Sequence, residues 1–86
     1  MDLAQVTLTQ LRYAVAIEQT GSFRLAAAAC HVSPSGLSMQ LHKLEDLLGT
    51  PLFDRSKKPV LSTPAGARAL SQMRAVLRDV ERLGQT

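Results

Sequence analysis

Arg55, Lys57 and Lys58 put three cations within four residues, with Asp54 the one acid beside them. Upstream, Ser35, Ser38, Met39 and His42 recur at spacings that a helix turns to one side. Small hydroxyls, a thioether and an imidazole can hydrogen-bond to base edges or lie against them, and they bring neither bulk nor negative charge to the groove floor of a DNA duplex. Clustered cations neutralise phosphates. The acid on the same side of the helix, Asp46, falls towards its far end. These residue types point to recognition of a polyanion, and the chemistry depends on the elements that hold them.

The segment from Ser22 to Gly49 reads as a short capped helix, a tight turn and a second capped helix. Leu37, Leu41, Leu44 and Leu48 are separated by four, three and four residues, which places them on one stripe at about 100° per residue. The groove-type residues then face away from that stripe. Ser22 is placed to cap the first helix of the pair, and the alanines that follow favour helix and let a neighbour cross closely. His31-Val32-Ser33 supplies the turn, Ser33 the next cap, Pro34 a residue tolerated in a first turn, and Gly49 the stop. Ahead of this pair, Thr7 and Gln10 form a capping box for a helix over Leu8 to Gln19, ended by Gly21.

After Gly49 the pattern changes. Leu52-Phe53-Asp54 and Val60-Leu61-Ser62 are short apolar stretches around the basic tip, which predicts a two-stranded hairpin, or wing, beside the third helix. Thr63-Pro64-Ala65-Gly66 repeats the cap of the third helix and opens a fourth running towards Leu83. Along it, Gly66, Ala69, Met73, Val76, Val80 and Leu83 make a heptad-like seam with Leu70 and Leu77 beside it. Its first turns are expected to pack back on the domain, while the distal part around Val76, Val80 and Leu83 projects beyond any core so small a domain can offer. Met73, Val76, Leu77, Val80 and Leu83 are the expected dimer contacts, the alternative being a helix that packs wholly on its own domain. Arg74, Arg78, Asp79, Glu81 and Arg82 form the expected solvated face. The fold class is therefore mainly α: a winged helix-turn-helix over 1–62 and a long linker or dimerisation helix over 63–86.

Composition narrows the function. A chain of 86 residues makes one small domain, in which only roughly 60 to 65% of the unfolded surface can be buried, so a partner chain is an expected source of further stability. Cys30 is the single cysteine. It excludes an internal disulfide, reads as a small buried apolar residue and, with no signal peptide ahead of it, points to a reducing cytoplasm. The longest apolar run, Leu25 to Cys30, is too short to span a membrane. Net charge is +3, which suits a polyanion partner without proving one. Zinc-type spacing is absent, since Cys30 and His31 are adjacent and His42 stands alone. Glu45 and Asp46 diverge on their helix and no nucleophile motif is present, so neither enzyme activity, metal nor cofactor is expected.

Three segments together carry a family resemblance: QLRYAVAIEQTGSF, AAAACHVSPSGLSMQLHKLEDLLGTPLFDR and VLSTPAGARAL. The chain resembles the N-terminal DNA-binding domain of a LysR-type transcriptional regulator over nearly its whole length. Within the family, His31-Val32-Ser33 and Lys43-Leu44-Glu45-Asp46 are most similar to the peroxide-sensing OxyR branch. The resemblance implies a homodimer joined through the linker helix, inverted-repeat half-sites in double-stranded DNA, and a tetramer as a further assembly of a full-length protein. It also implies an effector-binding domain, for a small molecule or a redox signal, that this chain lacks, and a cytoplasmic, nucleoid-associated location.

By position, the resemblance makes Ser33 a cap and phosphate neighbour, places Ser38 on the groove face and Arg55 at the wing base, and likens Lys58 before Pro59 to the family's minor-groove cation. His42 and Lys43 match positions near the backbone, and Arg24 is placed to touch phosphate. Two departures stand out. Pro34-Ser35 occupies the place of the family's usual Gln-Pro, and Met39 that of a frequent basic residue. A winged helix that binds protein instead of DNA is the competing reading, separable by the salt dependence of DNA affinity.

Overall fold

The computed structural model describes residues 3–85, so residues 1–2 and 86, at the outer ends of the two expected segments, lie outside the described residues. After a 3-10 turn at Leu3–Gln5 come α1 (Leu8–Thr20), α2 (Phe23–Ala29), α3 (Pro34–Leu48), β1 (Phe53–Asp54), β2 (Leu61–Ser62) and α4 (Pro64–Leu83). Local capping chemistry sets these boundaries. Thr7 Oγ1 accepts the Gln10 N–H and the Gln10 side chain accepts the Thr7 N–H, both at 3.1 Å. Ser22, Ser33 and Thr63 each accept the amide three residues on, at 3.1, 3.0 and 2.9 Å. Gly21 and Gly49 end α1 and α3 with φ of 68° and 74°, a left-handed conformation that costs glycine nothing. His31 takes φ 59° in the turn between α2 and α3, a position histidine fills more readily than β-branched residues do.

The core sits where α1, α2, α3 and the root of α4 meet. Leu37, Leu41 and Leu44 are fully buried, as are Ala14, Ile17, Ala26, Leu52 and Leu70. Ala26 and Ala27 let α2 lie close between its neighbours, which a larger side chain would prevent. Leu48, at the end of the expected stripe, is half-buried and packs against the core from its edge. Cys30 differs from the sequence reading: it is the C-cap of α2 and half-buried, because the chain leaves the core there to enter the turn.

The hairpin is shorter than the apolar stretches suggest, with two residues in each antiparallel strand, paired Phe53 to Ser62 and Asp54 to Leu61. Leu52 and Val60 leave the ladder for other partners. The Thr63 N–H donates to Leu52 O at 3.0 Å, and the Val60 N–H donates to Gly21 O at 2.9 Å. The wing is thus fastened both to α4 and to the turn between α1 and α2.

The first turns of α4 belong to the domain. Gly66, Leu70 and Met73 are buried, and Arg74 forms an ion pair with Glu18 of α1. Arg74 is therefore a link between helices instead of part of a wholly solvated face. Met73, 5% exposed, lies in the domain's own core, which corrects its place on the expected dimer seam. Leu77 is half-buried against that core. Beyond it Val76 and Leu83 are exposed, at 42% and 74%, and Val80 is half-buried.

Candidate nucleic-acid interface

The outward side of α3 presents Ser35, Met39, His42 and Lys43, all exposed, while Ser38 is half-buried on the flank facing the wing. Ser33 and Pro34 are exposed at its N-terminus. Ser33 Oγ is committed to the Gly36 amide and lies 3.4 Å from Ser35 Oγ, so one hydroxyl supports another at the head of the helix. Met39 is 53% exposed, an apolar tip on an otherwise polar face. Gly36 leaves only the cap oxygen close by, 3.0 Å from where a β-carbon would stand.

The wing brings its cations to one edge of this face. Arg24, Arg55 and Lys58 line a common groove of about 620 Å³ floored by Phe23 and Val60. Arg55 and His42 also line a second groove between α3 and the wing. Lys57 is exposed at the tip. Lys43 stands apart, on the opposite flank of α3 in a groove shared with Gln10 and Gln40. The structure thus gathers Arg55 and Lys58 with Arg24, keeps Lys57 at the tip and leaves Lys43 on the opposite flank of α3.

Two acids, Asp54 and Glu45, shape the wing through hydrogen bonds. Asp54 Oδ1 accepts both the Ser56 N–H at 3.0 Å and the Ser56 hydroxyl at 2.6 Å. These bonds, the hydroxyl first, hold the Asp54 carboxyl below its ordinary value and fold the start of the basic turn. Aspartate two residues before a serine is a local turn signal and was open to sequence reasoning. Glu45 was not: its Oε2 accepts the Leu52 N–H at 2.7 Å, seven residues away. Arg55 is likewise held by contacts that spacing does not show. Its guanidinium lies 4.4 Å from the centroid of the Phe23 ring, donates to Ser38 Oγ at 3.5 Å and sits 3.7 Å from Glu45. Phe23 meets Phe53 edge to face with centroids 6.4 Å apart.

Four helices around one core, a turn between α2 and α3 and a two-stranded wing returning beside α3 define a winged helix-turn-helix domain. Residues 8–67 match the model of the bacterial regulatory helix-turn-helix proteins of the lysR family, and the chain belongs to that family. Among curated relatives it is 45% identical over 76 residues to the DNA-binding transcriptional dual regulator OxyR of Escherichia coli K12, covering 88% of this chain and 25% of that protein. The chain therefore spans about a quarter of the length of such relatives.

Solved structures agree. The BenM DNA-binding domain in complex with its benA site 1 DNA superposes with a TM-score of 0.89 at 32% identity, covering 93% of this chain and 90% of that one. A full-length OxyR variant from Pseudomonas aeruginosa gives 0.88 at 42% identity, covering 94% of this chain and 28% of that one. Vibrio fischeri DarR in complex with DNA gives 0.90 at 27% identity, covering 94% and 28%. Among the described residues, no helix is long and apolar enough to cross a membrane.

Proposed function

We propose that this chain is the double-stranded-DNA-reading part of a bacterial transcriptional regulator. It works as a cytoplasmic, nucleoid-associated homodimer on inverted-repeat half-sites, with α3 in the major groove and the wing over the neighbouring minor groove. The observation that carries this reading is the exposed row Ser35, Met39 and His42 on α3, flanked by a wing whose Arg55 and Lys58 share a groove with Arg24. The BenM and DarR complexes, in which relatives of the same fold hold DNA, support it. Ser33, Pro34 and Ser35 are assigned to the point where the helix enters the groove. Ser38, Met39 and His42 are assigned to the reading face, and Arg24, Lys43, Arg55, Lys57 and Lys58 to the backbone and minor groove. Any effector would act on protein beyond this segment, and the chain itself carries no catalytic role.

The test is selection on randomised duplexes: the wild-type chain should enrich one half-site sequence, and recovery of an unenriched pool would reject the assignment. Two wing variants should then part company. Lys58→Ala removes an exposed cation and should lower DNA affinity with an unchanged melting temperature, the salt slope falling by about one unit if the contact is to phosphate. Arg55→Ala should lower affinity and also destabilise the domain by about 1 kcal/mol, because it strips a cation from Phe23 and a partner from Glu45. Equal melting temperatures for both variants would show that the Arg55 contacts carry no stability.

The dimer is assigned to the outer part of α4, where Val76, Val80 and Leu83, with the flank of Leu77, run past the core. Glutamate at Val80 would place like charges across a two-fold helix pair, so the lesion is felt twice. Sedimentation should show a wild-type dimer that dissociates in Val80→Glu. A wild type that is monomeric both alone and on a two-half-site duplex would remove α4 from the interface.

A further inference from the structure

Glu45 poses an electrostatic puzzle. A carboxylate beside the reading face repels phosphate and cancels part of the charge that Arg55 presents 3.7 Å away, so for binding a polyanion it is a liability. Yet its side chain is only 12% exposed and turned to the wing instead of to solvent. Its Oε2 takes the Leu52 N–H at 2.7 Å, the amide that leads into β1. Leu52 is fully buried, so that N–H has few other acceptors. Oε1 faces Arg55 and, at 4.0 Å, His42 Nδ1 of the outward face. Arg55 in turn lies over Phe23 of α2 and donates to Ser38 of α3. One carboxylate thus joins the entry strand of the wing, the cation at its base and the helix that carries Ser38 and His42.

From this geometry we infer that Glu45 is the positioning residue that fixes the wing relative to α3, so that major-groove and wing contacts form together on one sequence. The inference rests on the DNA-reading assignment above. It makes the effects on specific and non-specific binding opposite in sign, because removing the charge relieves repulsion while loosening the alignment. Lost folding alone would weaken both.

Glu45→Gln keeps the size and one oxygen for the Leu52 amide but removes the charge that holds Arg55. Binding should be measured for two duplexes: the sequence the wild type enriches, and a scrambled duplex of equal length and composition. Affinity for the scrambled duplex should stay equal or rise, while affinity for the enriched one should fall about tenfold, the size of effect seen when coupled contacts are separated. Lys58→Ala should also lose most of its effect in the Glu45→Gln background, since a misplaced wing has no contact left to remove. Unchanged discrimination, or equal loss on both duplexes, would overturn the inference.

If Glu45→Gln does not fold, Arg55→Gln breaks the same link and leaves the Leu52 bond. Its non-additivity with Lys58→Ala on the enriched duplex supports the inference, and strict additivity overturns it. A wild type that enriches no sequence would overturn the DNA-reading assignment itself and this inference with it, whereas the outcomes above concern Glu45 alone.

Discussion

Alanine at Gly66 should lower the melting temperature more than any surface change in this domain. A β-carbon there would stand 2.1 Å from the Leu52 carbonyl oxygen and 2.8 Å from both Leu52 C and Cα. These are backbone atoms already engaged, since Leu52 O accepts the Thr63 N–H that opens α4. Nothing nearby can swing aside. The gain from replacing a helical glycine by alanine is at most about 1 kcal/mol, and the position lies in the first turn of α4, where less of it is realised. Overpacking against a fixed neighbour costs about 1 to 3 kcal/mol and sometimes more, so the clash wins. For a domain of this size the net loss corresponds to roughly 5 to 20 °C in the melting temperature. A calorimetric scan measures it, and a midpoint within error of the wild type would mean that α4 does not lie against Leu52. Because Ser35, Met39 and His42 are untouched, the folded fraction of the variant should keep the wild-type base preference.

Met39→Arg should produce the largest change in sequence preference. Methionine at this place offers a flexible apolar chain that can lie against a thymine methyl, and it is half exposed on the face assigned to the groove. Arginine there reaches the O6 and N7 of guanine with two donors, a pairing worth about 1 to 3 kcal/mol where the geometry fits. The variant should bind scrambled DNA more tightly through its added charge and should enrich guanine at one position of each half-site. Parallel selections with wild type and variant decide this. Identical enriched sequences would place Met39 off the reading face, leaving Ser35, Ser38 and the wing to carry specificity.

What the sequence disclosed and what it hid follow from the range of the interactions. Capping is written within three or four residues, so Thr7 with Gln10, Ser22, Ser33, Thr63, Gly21 and Gly49 marked the helix ends to within one residue. The leucine stripe of α3 was equally legible, because burial on one face of a helix imposes its own period. The wing was visible as a change of pattern, but its strands came out shorter, since Leu52 and Val60 are claimed by α4 and Gly21 instead of by each other.

Contacts between distant segments carry no local signature. Glu45 looked like one of two adjacent acids that diverge on their helix, and its bond to Leu52 depends on how the chain turns after Gly49. Arg55 looked like a free cation, and Phe23, 32 positions earlier in the chain, holds it. Met73 fitted a heptad seam by spacing, yet the first turns of α4 face inward, and only the packing against α1 shows that Met73 belongs to the domain's core. Gly66 was read as part of a cap, while its lack of a side chain serves an approach to Leu52 that no local rule encodes.

If this surface binds DNA by neutralising its phosphates, its affinity must respond to a salt titration. Arg24, Lys43, Lys57 and Lys58 are exposed on the assigned face, whereas Arg55 is partly compensated by Glu45. Affinity for the enriched duplex should therefore fall linearly on a double-logarithmic plot, with a slope of roughly −3 to −4 per protomer for about four phosphate contacts. A saturable complex with that slope is expected. The absence of a saturable complex at low salt, or an affinity indifferent to salt, would rule out phosphate neutralisation and favour a winged helix that binds protein.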